Sequence, residues 1–209
     1  MPRVLATDDP AAIPELLRLL AAGGIAAVPT DTLYGLAANA LDAVAIGRVF
    51  ALKGRDFHKP LPVVVRDAAQ AATLATQLPP RFLELTAAFW PGPLTLVLPA
   101  APHVPAALTA GTGTIAIRQP GLPFLMALLA ATGFPLTATS ANRSGAPSCR
   151  TAAEVIAQLG EDCPLVIDAG PSPSALPSTI VDLCGPAPRL IRAGAIATER
   201  LAAYLEFRV

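Results

Sequence analysis

The 209-residue sequence predicts an α/β fold: a twisted, open, mixed sheet flanked by helices. Three observations carry this. Strand-like and helix-like segments alternate along much of the chain. The strand-like segments are apolar without strict period-two alternation, as in a sheet covered on both faces. After residue 164 short strands follow one another, which implies some antiparallel pairing and hence a mixed sheet.

The elements follow in order. Asp9 and Pro10 resemble an N-cap and first-turn proline, and Gly23 with Gly24 a helix stop. Between them Ile13, Leu16, Leu17 and Leu20 recur at helical spacing. IAAVPT reads as a buried strand. Asp42 caps a second helix with Ile46, Val49 and Phe50 on one face. PLPVVV is the next strand, followed by helices near 67–76 and 80–89. LTLVLP and TIAIRQP are strands. PFLMALLAAT is a helix leading to the strand PLTATS. TAAEVIAQLG is helical; LVIDAG, STIVDL and RLIRAG are short strands; TERLAAYLEF closes the chain as a helix. The segment at 170–178, GPSPSALPS, is a loop rich in turn formers.

Composition narrows the function. Hydrophobic residues make up 53% and charged residues 14%, so a large core can form, and the composition argues against disorder. The length suits a single domain over 1–209, with its core at about 10–196. A formal net charge of +0 argues against a strongly basic nucleic-acid binder. Cys149, Cys163 and Cys184 lack CxxC spacing and read as free thiols of a reducing compartment. With His58 and His103 they make no zinc pattern, so no protein-held metal is expected. The N-terminus lacks a signal-peptide core, and no apolar run approaches the roughly 18 residues of a membrane span. These features indicate a soluble cytoplasmic protein with no membrane partner.

Polar clusters lie just beyond strands: PTDT (29–32), KGRDFHK (53–59), GTGT (111–114), Arg118, TSANRSG (139–145) and PSTIVD (177–182). Open α/β sheets build their sites at such strand ends. Buried polar side chains after an apolar strand need partners or a ligand. Only two of the 15 basic residues are lysines, Lys53 and Lys59, and both fall in one cluster. Lys and Arg suit phosphate oxygens; hydroxyls and small-residue backbones suit a polar small molecule and a triphosphate. Each cluster also has a plainer account. Thr30 and Thr32 can cap a turn, Lys53, Arg55 and Lys59 can be a solvated helix end favoured by the dipole, Ser140 and Asn142 can form a local turn, and Arg118 and Arg192 can be surface charges. There is no standard nucleotide motif, neither GxxxxGK[ST] nor GxGxxG. Nor is there a GxSxG elbow, and His58 and His103 have no obvious serine or cysteine partner, so covalent catalysis has little support.

Taken together, PTDTLYGLAANA, LKGRDFHKPLPVVV, WPGPLTLVL, GTIAIRQP, TATSANRSGAPS, STIVDL and LIRAGAI resemble the YrdC/Sua5 family, in the family's order, over about residues 10–196. The resemblance implies a YrdC-like fold with a large, positively lined concave cavity. It implies a nucleotidyltransferase, an L-threonylcarbamoyladenylate synthase. Such an enzyme turns L-threonine, bicarbonate and ATP into L-threonylcarbamoyl-AMP, with pyrophosphate released, for N6-threonylcarbamoyladenosine (t6A) at position 37 of tRNAs reading ANN codons. Mg2+ on the ATP phosphates and a downstream threonylcarbamoyl transferase complex are implied with it. Carried onto this chain, Thr32, Arg118, the main chain of Ala138 and Ser178 would hold threonine. Arg55 and Lys59 would grip the ATP phosphates, with Lys53 adding positive charge; Lys53 and Arg55 would be the catalytic pair. Thr114, Ser140, Ser148 and Arg192 would hold the nucleotide, with Asn142 beside it. Asp31 stands where many relatives carry Glu, Val64 where some carry His, and RAG replaces the commoner RPG at Arg192. A chain ending at Val209 resembles the family's short, single-domain form. Two other readings stay open: an RNA-binding module with weak affinity for tRNA, and a carbamoyl-transfer domain using carbamoyl phosphate.

Overall fold

A computed structural model describes residues 1–202 and Tyr204. The first half of the chain runs β1 (Arg3–Ala6), α1 (Ala12–Ala21), β2 (Ala26–Val28), β3 (Gly35–Ala37), α2 (Ala43–Lys53), β4 (Val63–Val64), α3 (Ala68–Thr73), α4 (Pro80–Phe89) and β5 (Leu94–Pro99). Then follow α5 (Ala106–Thr109), β6 (Thr114–Arg118), α6 (Pro123–Thr132), β7 (Leu136–Thr137) and β8 (Thr139–Ser140). The last described elements are α7 (Ala152–Leu159), β9 (Leu165–Asp168), β10 (Thr179–Asp182), β11 (Arg189–Arg192) and α8 (Thr198–Ala202). The expected closing helix is thus described only to Ala202; the rest of TERLAAYLEF, apart from Tyr204, lies outside the described residues.

Local chemistry sets the helix ends. The Asp42 carboxylate accepts from the Val44 and Ala45 amides at 2.8 and 3.2 Å and starts α2. Gly54, in the left-handed region at φ 59°, stops it. Asp9 does not cap α1 directly. Its carboxylate accepts from Ala11 at 2.8 Å and its carbonyl from Ala12 at 2.9 Å, which makes a turn ahead of the helix.

The strands form two mixed sheets rather than the single one expected. The first has order β1-β9-β2-β3-β8 and the second β11-β10-β5-β6-β4-β7. PLTATS, expected as one strand, is divided between them: β7 pairs with β4, and β8 with β3. The reason lies at Pro62. Pairing of Val63 with Thr137 puts Pro62 opposite Ala138, and the Ala138 N–H donates to the Pro62 carbonyl at 2.9 Å. Proline has no N–H to return. The ladder ends there, the Ala138 carbonyl is left without its sheet donor, and the chain passes to the other sheet. Prolines at 60 and 62 also shorten PLPVVV to the two residues of β4.

Helices cover both faces, as the sequence implied. Leu16 and Leu20 of α1 and Leu125, Leu128 and Leu129 of α6 pack on Val28, Leu136 and Ile167. On the opposite face Phe50 of α2, Phe82 and Leu85 of α4 and Val155 of α7 meet Leu96, Ile117 and Val181. Full burial of each such side chain contributes about 1.5–3 kcal/mol. No helix among the described residues is long and apolar enough to cross a membrane, and the three cysteines are free thiols.

Tyr34 couples this core to the loops above it. It is fully buried, and its hydroxyl donates to Gly170 O at 2.8 Å and accepts from Ala169 N at 3.0 Å. Tyr34→Phe is expected to lower stability by about 1–3 kcal/mol, because a buried donor and acceptor both lose their partner. A urea titration checks this: the midpoint should fall with the slope unchanged.

Candidate active site

The turn after β2 is a directed chain of hydrogen bonds. The Thr30 hydroxyl accepts from Thr32 N at 3.0 Å and donates to Leu33 O at 2.7 Å. Its one proton is therefore engaged, and the 3.0 Å contact between the two hydroxyls must have Thr32 as donor. Thr32 in turn accepts from Arg118 Nη1 at 3.0 Å.

Arg118 ends β6 and is buried. Its Nε donates to Gly92 O at 3.1 Å, and its Nη2 is hydrogen-bonded and ion-paired with Asp31 Oδ1. Burial pulls this guanidinium below its ordinary value, and Asp31 opposes that pull. Of the five N–H groups a guanidinium carries, these bonds use three. Two remain, one on each terminal nitrogen, the number a bidentate carboxylate contact needs.

Two further arginines face the same space. Arg55 follows the end of α2 and is half-buried; its Nε and Nη2 donate to Lys59 O and Pro60 O at 3.2 and 3.0 Å. Arg192 ends β11, and its Nε and Nη2 reach Ser178 O at 3.1 and 2.8 Å. Burial lowers Arg192 first, and the like charge of Arg118 lowers it further. The approach of β11 to the start of β10 depends on Gly194, where an added Cβ would lie 2.4 Å from Pro177 O and 2.5 Å from the Ser178 carbonyl carbon. Ser178 is itself buried and shares a 2.8 Å hydrogen bond with Thr95.

These groups line one cavity of about 330 Å³, within the range of small-molecule sites. Its walls combine Arg55, Arg118 and Arg192 with Thr32, Ser140, Ser148 and Ser178, and an apolar side formed by Leu33, Pro62, Val63, Val64, Val97 and Ile180. None of its lining residues is Asp or Glu. Asp31, outside the lining, offsets Arg118, but Arg55 and Arg192 form no ion pair among the described residues; the positive charge left over favours an anionic ligand. The lining offers a Mg2+ ion hydroxyls and carbonyls but no anionic oxygen, so such an ion would be held chiefly by a ligand's own phosphates. Among the described residues no cluster of three or more His, Cys, Asp or Glu could hold a metal.

Comparison with known proteins places the chain. The Sua5/YciO/YrdC family model, described as telomere recombination, matches residues 18–194. The chain belongs to the Sua5/YciO/YrdC family. It is similar to the threonylcarbamoyl-AMP synthase of Bacillus subtilis strain 168, with 37% identity over 96% of the chain and 58% of that protein. It is also similar to the threonylcarbamoyl-AMP synthase of Alkalilimnicola ehrlichii, with 38% identity over 78% of the chain and 86% of that protein. Among solved structures, Pyrococcus abyssi Sua5 complexed with L-threonine superposes with a TM-score of 0.90 at 36% identity, over 92% of the chain and 56% of that protein. The chain thus spans little more than half the length of the B. subtilis and P. abyssi proteins.

Eight of the family positions carried over from sequence line the cavity: Thr32, Arg55, Arg118, Ala138, Ser140, Ser148, Ser178 and Arg192. Four do not. Lys59 is exposed outside the lining. Thr114 shares the strand face of Ala116 and Arg118 but lies one step beyond Ala116, its hydroxyl 2.9 Å from that of Thr112. Asn142 is buried beneath Ser140. Lys53, expected to add positive charge beside the phosphates, is instead buried, with its ammonium bonded to Ser140 O, Asn142 O and Asn142 Oδ1. Sequence reading gave no role to Thr95, Val97 and Ile180. Their signal is period-two spacing: Thr95 with Val97 on β5, Ala116 with Arg118 on β6, and Ser178 with Ile180 leading into β10 all face the cavity. Val64 sits in the apolar wall.

Proposed function

We propose that this chain condenses L-threonine, bicarbonate and ATP to L-threonylcarbamoyl-AMP, releasing pyrophosphate and water. The observation that carries this reading is the cavity itself: three arginines and no carboxylate, set against an apolar wall. The names of the Bacillus and Alkalilimnicola relatives and the threonine bound by Pyrococcus Sua5 support it.

The roles follow from the groups left unengaged. The two remaining N–H donors of Arg118 match the threonine carboxylate, with Thr32 held beside them. The Ala138 carbonyl, without a sheet donor, suits the substrate nitrogen. Val64, which pairs with Arg118 and shares its face, supplies apolar contact for the threonine methyl. Arg55 and Arg192 face the phosphates, with Lys59 at the rim, and Ser140, Ser148 and Thr114 extend toward the nucleoside. Threonine nitrogen attacks the carbon of bicarbonate and water leaves. The resulting carbamate oxygen attacks the α-phosphorus in line, and pyrophosphate departs. Both partners are anions, so fixed guanidinium charge offsets their repulsion and the charge that builds at the leaving group. Positioning supplies most of the rest. A Mg2+ ion entering with ATP would neutralise phosphate charge. The product would serve t6A formation at tRNA position 37, in the cytoplasm and through a separate threonylcarbamoyl transferase complex.

Mass spectrometry of the products with 13C-labelled bicarbonate tests the reading. Threonylcarbamoyl-AMP carrying one label is the expected result. Turnover with carbamoyl phosphate but not bicarbonate would contradict it and favour carbamoyl transfer.

A further inference from the structure

We infer that Lys53 is a positioning residue: it orients Asn142 and, through it, the Ser140 hydroxyl, without touching the ATP phosphates. This rests on the reading that the cavity takes ATP. An ammonium has three donors and no acceptor. Here three acceptors surround it: Ser140 O, Asn142 O at 2.8 Å and Asn142 Oδ1 at 2.8 Å. No proton is left for a ligand, in contrast to Arg118. Lys53 is 2% exposed and lies outside the cavity lining, whereas Ser140 is in it. Burial, with the charge of Arg55 second, pushes Lys53 down to about 8, so the ammonium form prevails at neutral pH.

The bonds run in one direction. Lys53 can donate only to an oxygen, which fixes which end of the Asn142 amide faces it. That Oδ1 also accepts the Ser140 hydroxyl proton at 2.6 Å, while Asn142 Nδ2 donates to Ala146 O at 2.6 Å. The same turn is tied back to the end of α2 by Ser144 N to Lys53 O and Arg143 Nη1 to Leu52 O, each 2.8 Å. With its proton engaged, Ser140 turns lone pairs to the cavity. Lone pairs repel phosphate oxygens and accept from N–H or O–H groups. Ser140 therefore suits the nucleoside part of ATP, and Lys53 determines that choice from behind.

The test compares ATP, inorganic tripolyphosphate and L-threonine as ligands in calorimetry of wild type, Lys53→Met, Ser140→Ala and the double variant. Lys53→Met is expected to weaken ATP about tenfold, the effect of one hydrogen bond of roughly 1.4 kcal/mol. Tripolyphosphate and threonine affinities should stay within about twofold, and the double variant should be no worse than either single one, because coupled residues are non-additive. Loss of tripolyphosphate affinity equal to the loss for ATP, or an additive, roughly hundredfold loss in the double variant, would overturn the inference. Wild type failing to bind ATP would instead overturn the functional reading beneath it. Should Lys53→Met not fold, wild type suffices. With two lysines in the chain, the Lys53 ammonium is assignable by 15N NMR. Its signal should be exchange-protected and unmoved by tripolyphosphate; a large shift or a coupling to 31P would refute the positioning role.

Discussion

Arg118→Ala is expected to weaken L-threonine binding by about a hundredfold, while ATP affinity changes by less than about threefold. A bidentate, charge-assisted contact is worth roughly 3 kcal/mol, which converts to about that factor. Three tethers hold Arg118: Gly92 O, Thr32 and Asp31. Its removal also leaves the Asp31 carboxylate, 17% exposed in its side chain, without its cation. Stability should fall by about 3 kcal/mol, the low end for losing one partner of a buried pair. Arg118→Lys should restore little, since an ammonium cannot meet the three tethers and a carboxylate together. Calorimetry with each ligand separates the outcomes: equal losses for threonine and ATP would remove Arg118 from the threonine pocket.

Arg55→Ala should cut ATP turnover by about 10²–10³-fold, the usual effect of deleting one group that stabilises transition-state charge. The fold should survive. Arg55 is half-buried, and its protein bonds go to two carbonyls of its own loop, Lys59 O and Pro60 O. Changes at such sites alter stability by about 0.5 kcal/mol or less. Threonine affinity should be unchanged. A melting curve and turnover measured on one preparation give the check. A melting-temperature drop matching the activity loss would make the segment after α2 a structural loop.

Much of this was legible in the sequence. The Asp42 cap, the Gly23–Gly24 stop and the apolar spacing are local signals; they placed both ends of α1 to within two residues and the start of α2 at Asp42. The polar clusters after strands marked the site: Thr32, Arg55, Arg118, Ser140 and Ser178 from them meet in it, and the family resemblance added Ala138, Ser148 and Arg192. What escaped depends on pairing across the chain. β1 and β3 are only four and three residues long and carry no periodicity of their own. The split of PLTATS at Ala138 follows from a proline 76 positions earlier that meets it only once the sheets form. Lys53 and Arg55 looked equivalent as a basic pair. Only the three carbonyl acceptors brought to Lys53 by the turn at 140–142 separate them.

The central claim is that one arginine-lined cavity activates threonine, as its carbamate, on ATP. Pyrophosphate release by the purified protein, with ATP and bicarbonate present and the amino acid varied, tests it most directly. The account predicts release that requires L-threonine and is at least about tenfold slower with serine, since one methyl against the apolar wall at Val64 discriminates by about 1–3 kcal/mol. Release independent of the amino acid, or none with threonine, would contradict it.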